Sequence, residues 1–500
     1  MNYFQRLLVL KELELKKILI FLLVFVFLLC IYLFKVKMYL FDTDDWIILA
    51  HKKSFLPEWG SYNPAKVLPE TLMPIITYIG YWFLYPFNND LVISSYIVYS
   101  VFLSFVVSIF ILHLINLTKA KSKLTNALLS FFVLFILASF CYKNGNNSVF
   151  LLSTFNVTCI FNYTIPNILN CVAVIYLMSV GYSFNYKLQS KWKTAFQAFA
   201  LYYVIFSNLY SNVILVSFSC AVLLQNIIFK NPFKSKALIP LIPHFYVVSL
   251  WLISAIYEYN GGRSKEIETN FSDYIVQSIE YIGIAYKTVN FAILIVFIST
   301  VLLALITIYI RKKNDQFTKV ALERVKTCLI ACFGLIVYIW LLASKTSPGY
   351  IVTSSVRLAL YFYPLLVFIL LLSVLMRFYL KSVITIIALT TMYLMYQFIS
   401  SISSIQYCNS PNIDPEIAHK VILDMQNQLF DQANNGQTSF IIQVPIFKNN
   451  LNDNFPLALY GARSFARTFY RYGKLPKNIE AKFVINYDKN VQFGLEKYAR

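Results

Sequence analysis

The chain has 500 residues, of which 58% are hydrophobic, 17% aromatic and only 13% charged, with a mean hydropathy of +0.62. So apolar a chain exceeds what a soluble core buries and cannot remain disordered, which excludes both a soluble multidomain enzyme and a flexible scaffold. The 43 Lys and Arg outnumber the 23 Asp and Glu, for a net charge of +20. In a soluble protein that balance would suggest nucleic-acid binding. In a membrane protein it first raises the question of which loops carry the cations.

About 20 apolar residues in a helix span a hydrocarbon core of ~30 Å. In chain order, crossings are predicted near 17–36, 91–117, 125–142 and 164–183. Two short ones follow within 196–229, separated around Ser207-Asn208 and Ser211-Asn212, and then come 237–256, 288–310, 326–343, 356–376 and 382–403. The total is about eleven. The first run is too long for a secretory leader and ends without a small-residue cleavage site, so it reads as a retained signal anchor. Five of the eight cysteines, Cys30, Cys171, Cys220, Cys328 and Cys332, lie inside apolar runs as small hydrophobes, and no CxxC pair occurs.

Basic clusters occur at Lys11/Lys16/Lys17, Lys119/Lys121/Lys123, Lys187/Lys191/Lys193, Lys230/Lys234/Lys236, Arg311 to Lys326, and Arg377/Lys381. Placing all six on the cytoplasmic side has two consequences. The segment 70–86 cannot be a full crossing, and the number of crossings is odd, with the N-terminus inside and the last hundred residues outside. The tail 405–500 holds eleven basic and eight acidic residues, a net of only +3. Topology therefore absorbs most of the charge, and the nucleic-acid reading loses its support.

The expected fold is an α-helical polytopic membrane domain over 1–404, with an outer loop at 37–69, followed by a small extracytoplasmic α/β domain over 405–500. In that tail, 414–433 has helical periodicity, and Phe440–Phe447 and Ala481–Tyr487 read as strands. Three outer stretches, 37–69, 143–163 and 257–287, are too polar for plain connectors. Such backbone at membrane depth is tolerated where it is buried in protein or lines a wet cavity, so a shared outer cavity is expected. The location is the plasma membrane.

The strongest chemical signal is Phe41-Asp42-Thr43-Asp44-Asp45-Trp46. Three carboxylates within four residues repel one another and lie close to low dielectric, which raises their pKa values unless a cation offsets it. The run also reads as a solvated acidic turn, but Trp46-Ile47-Ile48-Leu49 would hold it at the interface. A carboxylate there suits a general base acting on a sugar hydroxyl, Asp44 or Asp45, with Asp42 in support. Asp42 and Asp45 are also candidates to hold a divalent cation, Mg2+ or Mn2+, beside a phosphate.

Arg357, at the start of an apolar helix and away from the basic clusters, is the second signal. An arginine at membrane depth is costly, and its fork matches phosphate oxygens; the alternative is snorkelling to the headgroups. Arg263, in a Gly-Gly-Arg turn, and Lys66, in Asn63-Pro64-Ala65-Lys66, are weaker candidates for an anion, with a surface-loop role for Arg263 and a simply solvated lysine as the alternatives. Asn162 and Tyr163 are candidates to hydrogen-bond a sugar, or they serve a helix start.

This layout resembles the GT-C superfamily of membrane glycosyltransferases, in particular the bacterial multi-pass enzymes of cell-surface glycans. The similarity rests on Asp44-Asp45 in the first outer loop, Phe161-Asn162-Tyr163, Gly261-Gly262-Arg263, Arg357 at a helix start and an outer C-terminal domain. It covers most of the chain through short motifs. The resemblance implies a polyprenyl-phosphate-linked sugar donor, a glycan or lipid-linked acceptor, inverting transfer and an aspartate of the first loop as base. Two positions depart from the pattern. The Lys66 region stands where an arginine often follows the acidic loop, and the Ser207-Asn208 break lacks an acidic residue. A multi-pass glycan polymerase and a lipid-linked-sugar flippase or transporter are the rival readings; the latter would more typically show broken helices in paired halves.

Overall fold

The computed structural model describes residues 3–120, 122–141, 150–152, 156–180, 191–229, 239–266, 271–310, 315–401, 413–448, 454–475 and 480–499. The chain begins with α1 (Tyr3–Phe34), the short α2 (Thr43–Ala50) and α3 (Val67–Phe83). Next come α4 (Leu91–Asn116), α5 (Lys123–Ser139), α6 (Val157–Ser179), α7 (Lys191–Ile205), α8 (Leu209–Phe229) and α9 (Ile242–Tyr259). The helical part closes with α10 (Phe271–Lys287), α11 (Phe291–Ile310), α12 (Gln316–Lys345), α13 (Ser354–Phe378) and α14 (Leu380–Ser401).

Among the described residues nine of these helices, α1, α4, α6, α8, α9, α11, α12, α13 and α14, are long and apolar enough to cross a membrane. The chain is an α-helical polytopic protein. Helix α5, at 17 residues, and α7, at 15, are shorter.

Helix α13 is apolar all round, and a helix of that kind belongs in the interior. Its candidate span is 94% buried, the highest share of any. It packs on α8, α12, α11 and α14. Helices α11 and α14 are only 28% buried and turn residues such as Leu302, Leu303 and Leu389 outward. Helix α4 carries serines through an apolar stretch. Ser95, Ser100, Ser104 and Ser108 each donate to the carbonyl four residues back, which satisfies the hydroxyls without a partner helix.

Contacts between connections define the two ends of the bundle. At one end the Leu68 amide donates to the Phe206 carbonyl at 2.9 Å, Asn290 N–H to Phe140 O at 2.8 Å, and Arg263 N–H to Tyr62 O at 3.2 Å. At the other, Arg324 donates to Met178 O at 3.0 Å, Arg377 pairs with Asp315 at 2.9 Å, and Lys119 lies over the Phe317 ring. The described members of the basic clusters at 119, 324 and 377 thus share one end.

Helix α3 does not run between the ends. Leu68 at its start binds the α7–α8 turn, and near its end Tyr78 and Tyr81 donate to the carbonyls of Arg471 and Tyr472, at 3.1 and 2.5 Å. Helix α10 is also a surface helix: the Trp340 indole N–H, near the end of α12, donates to Ile275 O at 2.9 Å, while Val276 and Ile279 are exposed.

The C-terminal elements are α15 (Pro415–Asn434), β1 (Ser439–Val444), α16 (Ala462–Arg471), β2 (Glu480–Ile485) and α17 (Tyr487–Phe493). The strands pair in parallel from Ser439↔Glu480 to Val444↔Ile485, an arrangement that needs a long crossover, and α16 lies within it. The other edge of β1 is closed by side chains. Gln432 donates to and accepts from the Ile441 backbone, and Gln428 does the same with Gln443, each amide standing in for a neighbouring strand.

This unit sits on the end of the bundle that carries α2 and α3. His419 meets Asp90, the N-cap of α4, at 2.5 Å, and Gln426 donates to Asn89 O. Trp46 of α2 packs on Phe465 and Phe469, with ring centroids 4.6 and 6.1 Å apart. Thr43 ties down the preceding loop, donating to Pro456 O at 2.7 Å and accepting from Ala458 N–H at 2.8 Å. Gly461 permits this approach, since a Cβ there would lie 2.7 Å from Thr43 Cγ2.

Candidate functional site

The acidic run is divided among three environments. Asp42 caps α2 in extended backbone and forms a capping box with Asp45; its side chain also accepts a hydrogen bond from Asn156 Nδ2. Asp45 is fully buried. Its Oδ2 accepts from the amides of Phe41 and Asp42, at 3.1 and 3.2 Å, and its Oδ1 from the Thr158 amide and hydroxyl, at 2.9 and 2.7 Å. Burial pushes the Asp45 carboxyl up to about 6, against the pull of the Thr158 and Phe41 donors and with a further push from Asp44. Asp44, between them on the first turn of α2, is exposed. Asp45 therefore ties α2 to the start of α6, and Asp44 is the carboxylate of the three that is open to a ligand.

That division bears on the expected metal pair of Asp42 and Asp45. Asp45 already accepts from four donors, and Asp42 takes part in the capping box and accepts from Asn156. Among the described residues no group of three His, Cys, Asp or Glu side chains is arranged to hold one.

Between the end of the first loop, α6, the α7–α8 turn and the ends of α9 and α12 lies a cavity of about 830 Å³. Lys66, Tyr163 and Arg263, three of the residues expected from sequence, share its wall, joined by Glu258, Lys345, Tyr210 and Tyr350. The cavity forms because Gly261-Gly262 fold tightly onto the first loop. A Cβ on Gly261 would lie 2.7 Å from Pro64 Cδ, so the glycine lets the Arg263 turn reach the segment that carries Lys66. Arg263 donates to the Tyr350 hydroxyl at 2.8 Å.

Lys66 is 7% exposed, and among the described residues its ammonium has no carboxylate within 4 Å. Burial, reinforced by the Arg263 guanidinium, pushes it down to about 8, while Glu70, Glu258 and Asp44 act the other way. The buried Lys66 ammonium, disfavoured by the Arg263 charge across the cavity, is a site that an anion would relieve. Asp44 does not line the cavity, but its charge is felt by Lys66.

Asn162 and Tyr163 occupy a π-helical turn, Ile160–Thr164, inside α6. Of the polar outer stretch expected over 143–163, residues 157–163 belong to α6, and 143–149 and 153–155 lie outside the described residues. Asn162 is buried with its Oδ1 lacking a partner, while Tyr163 reaches the cavity.

Arg357 is not on the cavity wall. It is 7% exposed, donates to Thr288 Oγ1 at 3.2 Å, and leaves its Nε buried without a partner. It is held within the protein and does not extend to the surface.

Glu258 and Lys345 went unremarked in the sequence. Both are ionisable residues at the end of an apolar helix on the side away from the basic clusters, the same signal that singled out Arg357. Tyr210 and Tyr350 carried no signal, because tyrosines are common along the whole chain.

The fold and this cavity define a polytopic membrane protein with a cationic, tyrosine-rich chamber at one end of its bundle. Comparison with protein-family models and with curated proteins returns no match.

Proposed function

We propose that the protein is a membrane glycosyltransferase of GT-C type. It moves a sugar from a polyprenyl-phosphate donor to a cell-surface glycan or a lipid-linked acceptor, on the outer face of the plasma membrane. The observation that carries this reading is the pairing of one exposed carboxylate, Asp44, with an adjacent cavity lined by Lys66 and Arg263. Asp44 takes the proton of the acceptor hydroxyl as its oxygen attacks the anomeric carbon from the face opposite the phosphate. The bond to the phosphate breaks, and Lys66 and Arg263 neutralise the charge that develops on the departing lipid phosphate. Tyrosine faces and hydroxyls, with Tyr163 among them, would hold the sugar.

Eleven crossings belong to the same proposal. In it the nine long helices together with α5 and α7 alternate between the two ends; the His419–Asp90 contact at the start of α4 and the Lys119–Phe317 contact just past its end support a C-terminal unit opposite the basic end. With that end cytoplasmic, chemistry takes place outside, where lipid-linked sugars are used.

The test is direct. Purified protein in nanodiscs is supplied with an isoprenyl-phosphate-linked hexose and a membrane glycan extract, and release of isoprenyl phosphate is followed. Wild-type protein should release it and Asp44→Asn should not. Equal release by both would remove the proposal.

A further inference from the structure

Arg357 is a buried cation with no carboxylate of the described residues within 4 Å and with its Nε unpartnered. A charge in that position is costly unless something compensates it. Its surroundings are neutral: the Thr288 hydroxyl at 3.2 Å, the Cys141 thiol, and Tyr361, whose own hydroxyl is committed to Ala285 O at 2.7 Å.

Directly along α13 from Arg357 lies a second cavity, of about 310 Å³. Tyr361, Leu365 and Phe368 line it, at four, eight and eleven residues beyond Arg357, so they continue one face of the helix. Arg357 therefore stands about one turn, some 6 Å, above the upper end of this cavity. Phe140, next to Cys141, and Val289, next to Thr288, join the wall at the same level. No polar surface is presented by the lining, which suits a hydrocarbon chain and not a sugar. Leu294 on its rim is 42% exposed, which opens the cavity sideways toward the bilayer.

We infer that this is a binding site for an anionic diacyl phospholipid, with its phosphate against Arg357 and one acyl chain in the cavity between α11, α13 and α14. The lateral opening leaves room for the second chain in the surrounding membrane. The cavity is walled by α11, α13 and α14 together with Leu329 and Cys332 of α12, whereas the chamber with Lys66 and Arg263 is walled by α9, the far end of α12 and the start of α8, and the two share no lining residue. The lipid is thus a resident that neutralises Arg357 and fills the apolar void, not a reactant delivered to Asp44. The inference stands whether or not the chamber transfers sugars.

Native mass spectrometry of the full chain, titrated with phosphatidylglycerol, tests it. Phosphatidylcholine of the same chains, an isoprenyl monophosphate and inorganic phosphate serve as the other probes. Phosphatidylglycerol should bind best and inorganic phosphate should not bind. Arg357→Gln should weaken phosphatidylglycerol roughly five- to tenfold, as expected for one cation–phosphate contact. Arg357→Lys should recover part of that loss. Leu294→Trp, at a partly exposed position where folding is preserved, should reduce binding by blocking the rim. Unchanged binding by both Arg357→Gln and Leu294→Trp overturns the site, as does a tenfold preference for the isoprenyl phosphate. Loss on Lys66→Gln or Arg263→Gln in place of Arg357→Gln would move the lipid into the chamber. That outcome ends this inference and leaves the transferase proposal untouched.

Discussion

Two neighbouring aspartates, Asp44 and Asp45, should separate stability from activity. Replacing Asp45 by Ala removes the acceptor of four donors, the amides of Phe41, Asp42 and Thr158 and the Thr158 hydroxyl. A hydrogen bond to a charged group contributes about 1.5–3 kcal/mol, but four bonds to one anchor are not additive, because α2 can shift and regain some partners. A net loss of about 3–5 kcal/mol is expected. Asp45→Asn keeps one carbonyl oxygen and turns an amide donor toward the other pair, so it should lose about half as much. Asp44 is exposed, and Asp44→Asn should change stability by no more than about 0.5 kcal/mol. Its effect should fall on turnover, a reduction of about 10²–10⁴-fold. Thermal melting in detergent and transfer assays on the same four preparations give both readings. An Asp45→Ala protein that melts like wild type would refute the anchor. An active Asp44→Asn protein would refute the base, and if Asp45→Asn alone abolished turnover at full stability, the two roles would be reversed.

Lys66 makes anion binding depend on pH. Its ammonium is held down to about 8, so donor affinity should fall as pH rises through that value, and Lys66→Arg, cationic throughout, should flatten the profile when KM is measured from pH 6.5 to 9.5. Gly261→Ala places a methyl 2.7 Å from Pro64 Cδ, and should raise KM with little change in kcat by parting Arg263 from Lys66. Gly461→Ala crowds Thr43 at the same distance and should cost about 1–3 kcal/mol, visible as earlier melting. For topology, a Cys at Lys482 should be labelled from outside intact cells and one at Gln316 should not, in a background without the eight native cysteines; labelling at Gln316 would invert the orientation.

Sequence alone determined the parts of this protein that depend on local physics. Apolar runs of about 20 residues have to become helices in a bilayer, because no water is present to satisfy their backbone, so the long helices were legible, although α1 and α12 begin at Tyr3 and Gln316, ahead of the apolar runs expected from 17 and 326. The period of 414–433 and the strand character near 440 and 481 were equally local, and each appears as α15, β1 and β2 within a few residues. Only tertiary structure could assign jobs within Asp42-Thr43-Asp44-Asp45. A helical turn rotates successive residues by about 100°, so one carboxylate meets solvent while its neighbour meets Thr158, 113 residues away. The same holds for the cations. In the sequence Arg357 stood out as an isolated charge at a helix start, with Arg263 and Lys66 as weaker candidates. Long-range packing brought Lys66 and Arg263 together through the Gly261–Pro64 contact and left Arg357 off the wall of their chamber, because that grouping depends on which helices pack together and not on the residues beside each charge.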